Sequence, residues 1–174
     1  MRPAAPPYRG EGPHALWHVS EDDSIRRFEP REEKVWALDT RHWPLYWFPR
    51  ECPRATFWAD STTRDEDVGR YLGGERGRRV HVVEPEWLPW LHTTRVFSYR
   101  MPEATFHQDE DRFWISREPV EPLELVELGD LVARHETAGI ELRAEPHLLA
   151  FWNSVVESTL GFSGIRLRNA RMSA

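Results

Sequence analysis

LWHVSEDDSIRRFEPR, residues 16–31, begins with the alternation of a strand and ends in charge. In an extended chain Leu16, His18 and Ser20 share one face, and Trp17 and Val19 the other. An apolar strand that finishes on a histidine and a serine sets two hydrogen-bonding side chains beside each other, which suits the hydroxyls of a ribose or a similar polyol. The competing reading is a core histidine satisfied by backbone or solvent. In both readings Asp22 or Asp23 caps the turn that follows.

Working outward, KVWAL (34–38) is nearly all apolar and reads as a second, buried strand, and ATFW (55–58) as a third. Between them Asp39 or Thr40 is expected to cap a short helical turn carrying Leu45, Tyr46 and Phe48, limited by Pro44 and Pro49. Residues 59–78 turn polar and glycine-rich. Val68, Tyr71 and Leu72 have helical spacing, so one short helix is expected inside an otherwise mobile loop. Strands resume at 79–84, 94–101, 112–118 and 123–128, where Leu123, Leu125 and Glu127 share a face. Gly129-Asp130 starts a helix running to about Ala138, with Gly139 as its C-cap. Glu145-Pro146 opens a second helix with Leu148, Phe151, Trp152, Val155 and Thr159 on one stripe, closed by Gly161. Strands early and helices late predict an α+β fold of mainly antiparallel sheet with C-terminal helices. The expected layout is a flexible lead-in over 1–13, a single domain over 14–170, and a tail at 171–174.

Composition narrows the function classes. The chain has 174 residues, enough for a sizeable core, and nine tryptophans, which fit either a thick core or a pocket that stacks a planar ligand. Asp plus Glu number 29 against 23 Lys plus Arg, a formal charge of −6, so bulk nucleic-acid binding is not expected. The single cysteine, Cys52, excludes an internal disulfide. No apolar run reaches the roughly 20 residues of a membrane span. MRPAAPPYRGEGP lacks the apolar stretch of a signal peptide, so a cytoplasmic protein is expected.

Three further clusters carry chemistry. VWALDTRHWPLYWFPRECPR (35–54) sets aromatics beside Arg41, His42, Arg50 and Arg54, the pairing of ring and guanidinium that a nucleotide pocket needs. The alternative there is a tryptophan-rich core segment with its arginines in solvent. HQDEDRFWISREPVEPLE (107–124) holds Asp109, Glu110, Asp111 and Glu118 around a strand, where a carboxylate can steady an oxocarbenium-like centre. Taken alone, that run is better read as a hairpin with an acidic turn. The His107/Asp109 spacing is too unspecific for a metal, and no metal site is expected. GIRLRNA places Arg166 and Arg168 on one face if extended.

LWHVSED, VWALDTRHWPLYWFPRECPR, FWISREPVEPLE and GFSGIRLRN together resemble an uncharacterised family of small bacterial proteins, over almost all of the chain after residue 14. More distantly the order of pieces is similar to the ADP-ribosyltransferase-like fold. That resemblance implies NAD as substrate, with His18 and Ser20 on the ribose and Trp36 or Tyr46 stacked on nicotinamide. Arg50 or Arg31 would meet the pyrophosphate. The chain departs from the pattern in its late strand, where Phe113 or Trp114 occupies the place of the expected glutamate. Glu118 is the nearest substitute as the acid that stabilises the anomeric carbon, with His18 as its partner in catalysis. The resulting expectation is an NAD- or nucleotide-binding protein, an ADP-ribosyltransferase or NAD glycohydrolase if Glu118 acts, with a protein acceptor in the former case. The alternative is a non-catalytic module that docks a protein or small metabolite in its aromatic pocket.

Overall fold

The structure is a computed structural model that describes residues 15–109 and 113–172. The lead-in expected over 1–13, and the acids Glu110 and Asp111, lie outside the described residues. The fold is α+β, with ten strands in two mainly antiparallel sheets and four α-helices among the described residues. Two units divide the chain, one formed by residues 1–50 and 94–129 and the other by 51–93 and 130–174.

The first unit is a six-stranded sheet in the order β6-β7-β2-β1-β5-β8. Its strands are β1 (Leu16–Ser20), β2 (Val35–Asp39), β5 (Phe97–Met101), β6 (His107–Gln108), β7 (Phe113–Ser116) and β8 (Glu124–Glu127). Alternation supplies its core: Leu16, Val35, Ala37, Phe97, Tyr99 and Met101 pack with Phe28, Phe106 and Val120. Leu123 and Leu125 belong to the edge next to β5 and stay exposed. Arg31 and Lys34 pair across a two-residue turn in which Glu32 and Glu33 have φ of 49° and 65°. That is a type I′ hairpin turn built without asparagine or glycine.

The helical turn expected after β2 is a 3-10 turn, Trp43–Tyr46. It is Asp39 that shapes its approach, accepting the His42 N–H at 3.0 Å, while Thr40 donates to the Ala15 carbonyl. Phe48 lies beyond the turn.

The second unit is a four-stranded sheet, β10-β3-β4-β9, made of β3 (Arg54–Trp58), β4 (Arg79–Val83), β9 (Glu141–Ala144) and β10 (Gly161–Ile165). Strands β4 and β9 run parallel and the other pairs antiparallel. On one face Ala55, Phe57, Val80 and Val82 pack with helices α1 (Asp65–Leu72) and α4 (Leu148–Val156) through Val68, Tyr71, Leu72, Leu148 and Val155. The registers Thr56↔His81 and Trp58↔Arg79 put polar residues on the opposite face, and these too are buried.

Helix α1 occupies the middle of the polar stretch 59–78, and Arg76 donates to the carbonyls of Asp60 and Thr63 on its approach. Asp130 caps helix α3 (Leu131–Thr137) through the N–H groups of Val132 and Ala133, and Gly139 follows at φ 68°.

Three elements depart from the expected pattern. Gly161 does not close a helix: α4 ends at Val156, and Gly161 starts β10 against Trp58. Strand β9 escapes a hydropathy reading because Glu141 and Arg143 pair with each other on its surface. Helix α2 (Leu88–Thr93) contains Pro89, tolerable only because it sits in the first turn, where its missing N–H has no helical acceptor.

Candidate functional site

Strands β1 and β2 pair only at Leu16↔Asp39 and Trp17↔Leu38, whereas β1 stays paired with β5 all the way to Ser20. From His18 onward β1 therefore has a free flank facing β2. The His18 ring fills the start of that fork: its Nδ1 lies 2.8 Å from the Trp36 carbonyl oxygen. A carbonyl only accepts, so Nδ1 carries the proton and Nε2 is left as an acceptor. The ring sits 4.2 Å from the Trp36 ring and 4.7 Å from the Phe28 ring, centroid to centroid. Burial pushes its pKa down to about 4; the bond to Trp36 works against this, and the charges of Arg31 and Arg50 add to it. His18 is thus a neutral hydrogen-bond acceptor at physiological pH.

Beside it stands an aromatic trio. Trp36 lies 5.2 Å from Tyr46 and 6.1 Å from Phe113, and Tyr46 lies 6.4 Å from Phe113, with both contacts to Phe113 close to edge-on. The three come from β2, the 3-10 turn and β7. All three are half-buried, and their tilted and edge-to-face packing is the ordinary geometry of an aromatic cluster.

The residues singled out from sequence divide into those the fold gathers and those it does not. His18, Trp36 and Tyr46 form a chain of ring contacts, and the exposed Arg31 and Arg50 are near enough to bear on the His18 proton. Ser20 is half-buried two residues along the same strand; its Oγ accepts the Asp22 N–H at 3.1 Å, which leaves the hydroxyl proton to donate. Glu118 is exposed beyond the end of β7, tied to Ser116 through its own backbone N–H and carbonyl. Among the described residues no hydrogen bond or ion pair reaches its carboxylate. Phe113, not an acid, completes the ring cluster.

Two supports were not legible beforehand. Glu21 Oε1 accepts the Arg50 N–H at 2.7 Å, anchoring the loop that carries Arg50 to the end of β1. Asp39 and His42 form a buried pair, Oδ1 to Nδ1 at 2.7 Å. Burial acts to raise the Asp39 pKa, but the His42 bonds outweigh it and hold the carboxyl below its usual range. The D-x-x-H spacing was the available signal, hidden among the aromatics around it. Among the described residues no group of three or more His, Cys, Asp or Glu side chains is placed to hold a metal ion, and no helix is long and apolar enough to cross a membrane.

Fold and site define an α+β protein whose split pair of strands presents a neutral histidine, an aromatic cluster and two arginines. The chain belongs to a family of unknown function (DUF6886), which it matches over residues 17–170. No curated protein and no solved structure matches it.

Proposed function

We propose that the fork between β1 and β2 binds NAD or a related nucleotide. The observation that carries this reading is the state of His18, held neutral with Nε2 as an acceptor between an aromatic trio and two guanidiniums. Each part selects one piece of a nucleotide. The acceptor takes a ribose hydroxyl, Trp36 or Tyr46 takes the planar base or nicotinamide, and Arg31 or Arg50 takes the phosphate charge. Ser20 adds a second sugar contact. An ADP-ribosyltransferase-like architecture goes with this reading, supported by the His-x-Ser strand and the aromatic strand beside it. In the catalytic version Glu118 stabilises the anomeric carbon as nicotinamide leaves, and a protein or water accepts the ADP-ribose.

A second reading, ligand binding without turnover, has an observation of its own. Phe113 sits in the ring cluster, and the Glu118 carboxylate is in solvent. Calorimetric titration with NAD, with nicotinamide release followed in the same sample, separates the two. Binding with release establishes an NAD-consuming enzyme, and binding without release a nucleotide-binding module. Absence of binding refutes the nucleotide reading and leaves the aromatic cluster as a docking site of another kind.

A further inference from the structure

A directed chain of hydrogen bonds between buried side chains fastens helix α3 to strand β4. The Arg79 Nε–H donates to His81 Nε2 at 3.0 Å. His81 Nδ1 lies 3.0 Å from His135 Nε2, and His135 Nδ1 lies 2.6 Å from the Leu131 carbonyl oxygen. A guanidinium only donates and a carbonyl only accepts, so every proton in the chain is assigned. Both imidazoles are neutral and both carry hydrogen on Nδ1. The rings meet edge to face at 5.0 Å, and both residues are fully buried, 0% exposed.

A second proton has no place in this arrangement. On His81 it would turn Nε2–H toward the Arg79 N–H; on His135 it would turn Nε2–H toward the His81 N–H. Either way two donors face each other among buried side chains. Among the charges that bear on the pair are the cations Arg79 on β4, Arg54 on β3 and Arg134 on α3. Three carboxylates on the neighbouring elements are engaged elsewhere. Asp130, at the start of α3, holds His92 of α2 at 2.8 Å and caps the helix. Glu141 on β9 pairs with Arg78 and Arg143, and Glu84 after β4 accepts the Arg171 N–H. Gly129 and Gly139, at φ 70° and 68°, flank the helix.

We infer that the His81–His135 pair is an acid-released latch, in which proton uptake by either imidazole detaches helix α3 from strand β4. The step takes one proton from solvent onto a ring nitrogen and breaks the hydrogen bond that nitrogen had accepted. Burial, followed by the charge of Arg79, depresses the His81 pKa well below its usual value. Burial also brings His135 down to about 4, against the opposing pull of its bond to Leu131.

Hydrogen exchange of the full chain, read from pH 7.5 to pH 5 and corrected for intrinsic rates, tests this. With His135 alone titrating at about 4 when latched and 6.5 when released, opening of α3 becomes about 30-fold more frequent at the lower pH. At pH 5 the amides of α3 are expected to open at a lower free energy, and with a smaller urea dependence, than those of α1 and α4. Equal opening free energies in α1, α3 and α4 at pH 5 would mean global unfolding and overturn the latch, as would no change in α3. The variant His135→Gln, whose amide can accept from His81 and donate to Leu131, is expected to reduce the response to what His81 alone supplies. Should that variant not fold, nitrogen spectra of the wild-type imidazoles at pH 7 still decide. Hydrogen on Nδ1 of both rings supports the chain, and an Nε2–H tautomer or an imidazolium on either refutes it.

Discussion

His18 and Trp36 are joined across the opening between β1 and β2 by one hydrogen bond of 2.8 Å, from the Nδ1–H of the ring to a main-chain carbonyl. Strand pairing has already ended at Trp17↔Leu38, so the ring stands where the ladder would have continued. A strand that gives up pairing on one flank exposes polar backbone, and a side chain must supply what the neighbouring strand does not. His18 does this with one nitrogen and keeps the other for a ligand.

Affinity for NAD is therefore expected to depend on His18 in its neutral form. Replacing His18 with Ala removes an acceptor and a ring packed between Phe28 and Trp36, and should weaken binding at least about tenfold, equivalent to about 1.4 kcal/mol. Because the folded pKa is about 4, wild-type affinity should be flat from pH 8 to pH 5.5 and fall only as pH approaches that value. Calorimetry across this range is the check. Unchanged affinity in the Ala variant, or a midpoint near pH 6.5, would remove His18 from the site.

The turn at Glu32-Glu33 is expected to be a source of strain. Left-handed backbone costs an L-residue roughly 1–2 kcal/mol, and a type I′ turn imposes it twice. The double substitution Glu32→Asn and Glu33→Gly should raise stability by about 1 kcal/mol or more in denaturant unfolding. The exposed Glu33–Arg117 contact at 3.7 Å, lost in the process, is worth little. A neutral or negative outcome would mean that the glutamates make compensating interactions.

Much of the first unit was legible because its signals are local. LWHVS and VWALD alternate or run apolar, and β-strand chemistry follows directly. The gathering of His18, Trp36 and Tyr46 was likewise foreseeable, since neighbouring strands and the loop between β2 and β3 bring them within reach. What escaped was long-range. Strand β10 is written as GFSGI, with two glycines that argue against a strand until Trp58 and Trp152 are seen pressing on them. The His81–His135 pair spans 54 residues of sequence, and neither position looks unusual alone. The exposed position of Glu118 was equally invisible, because sequence placed it near a strand end without saying which way the chain then turns.

Gly161 is the sharper of the two glycines. A Cβ there would lie 2.5 Å from Trp58 Nε1 and 2.9 Å from Cε2, and the Trp58 ring is only 1% exposed, with no room to move aside. Gly161→Ala should therefore cost about 1–3 kcal/mol, the usual range for overpacking a filled core. Gly69→Ala, with nothing within 4 Å of the new carbon, is the matched control on helix α1 and should be neutral or mildly stabilising. Thermal or urea unfolding of the pair gives the comparison, and equal midpoints would mean that β10 yields locally.

Global stability should also follow the buried imidazoles. His18 and His135 titrate at about 4 in the folded protein, His81 lies well below its ordinary value, and all three return to about 6.5 when unfolded. Between these limits the unfolded chain binds more protons than the folded one, so stability is lost as pH falls and is fully present above about pH 7. At pH 5.5 His18 and His135 should each cost about 1.3 kcal/mol relative to pH 7.5, and His81 adds to the loss in the same direction. Asp39 contributes in the same direction only at lower pH, because its depressed carboxyl protonates below the ordinary carboxylate range. Urea unfolding at pH 7.5, 6.5 and 5.5 isolates the histidines from it. A loss of at least about 3 kcal/mol over those two pH units, with an unchanged denaturant slope, is the expected result. A flat profile would mean that the three rings are already protonated, or reach solvent, in the native state.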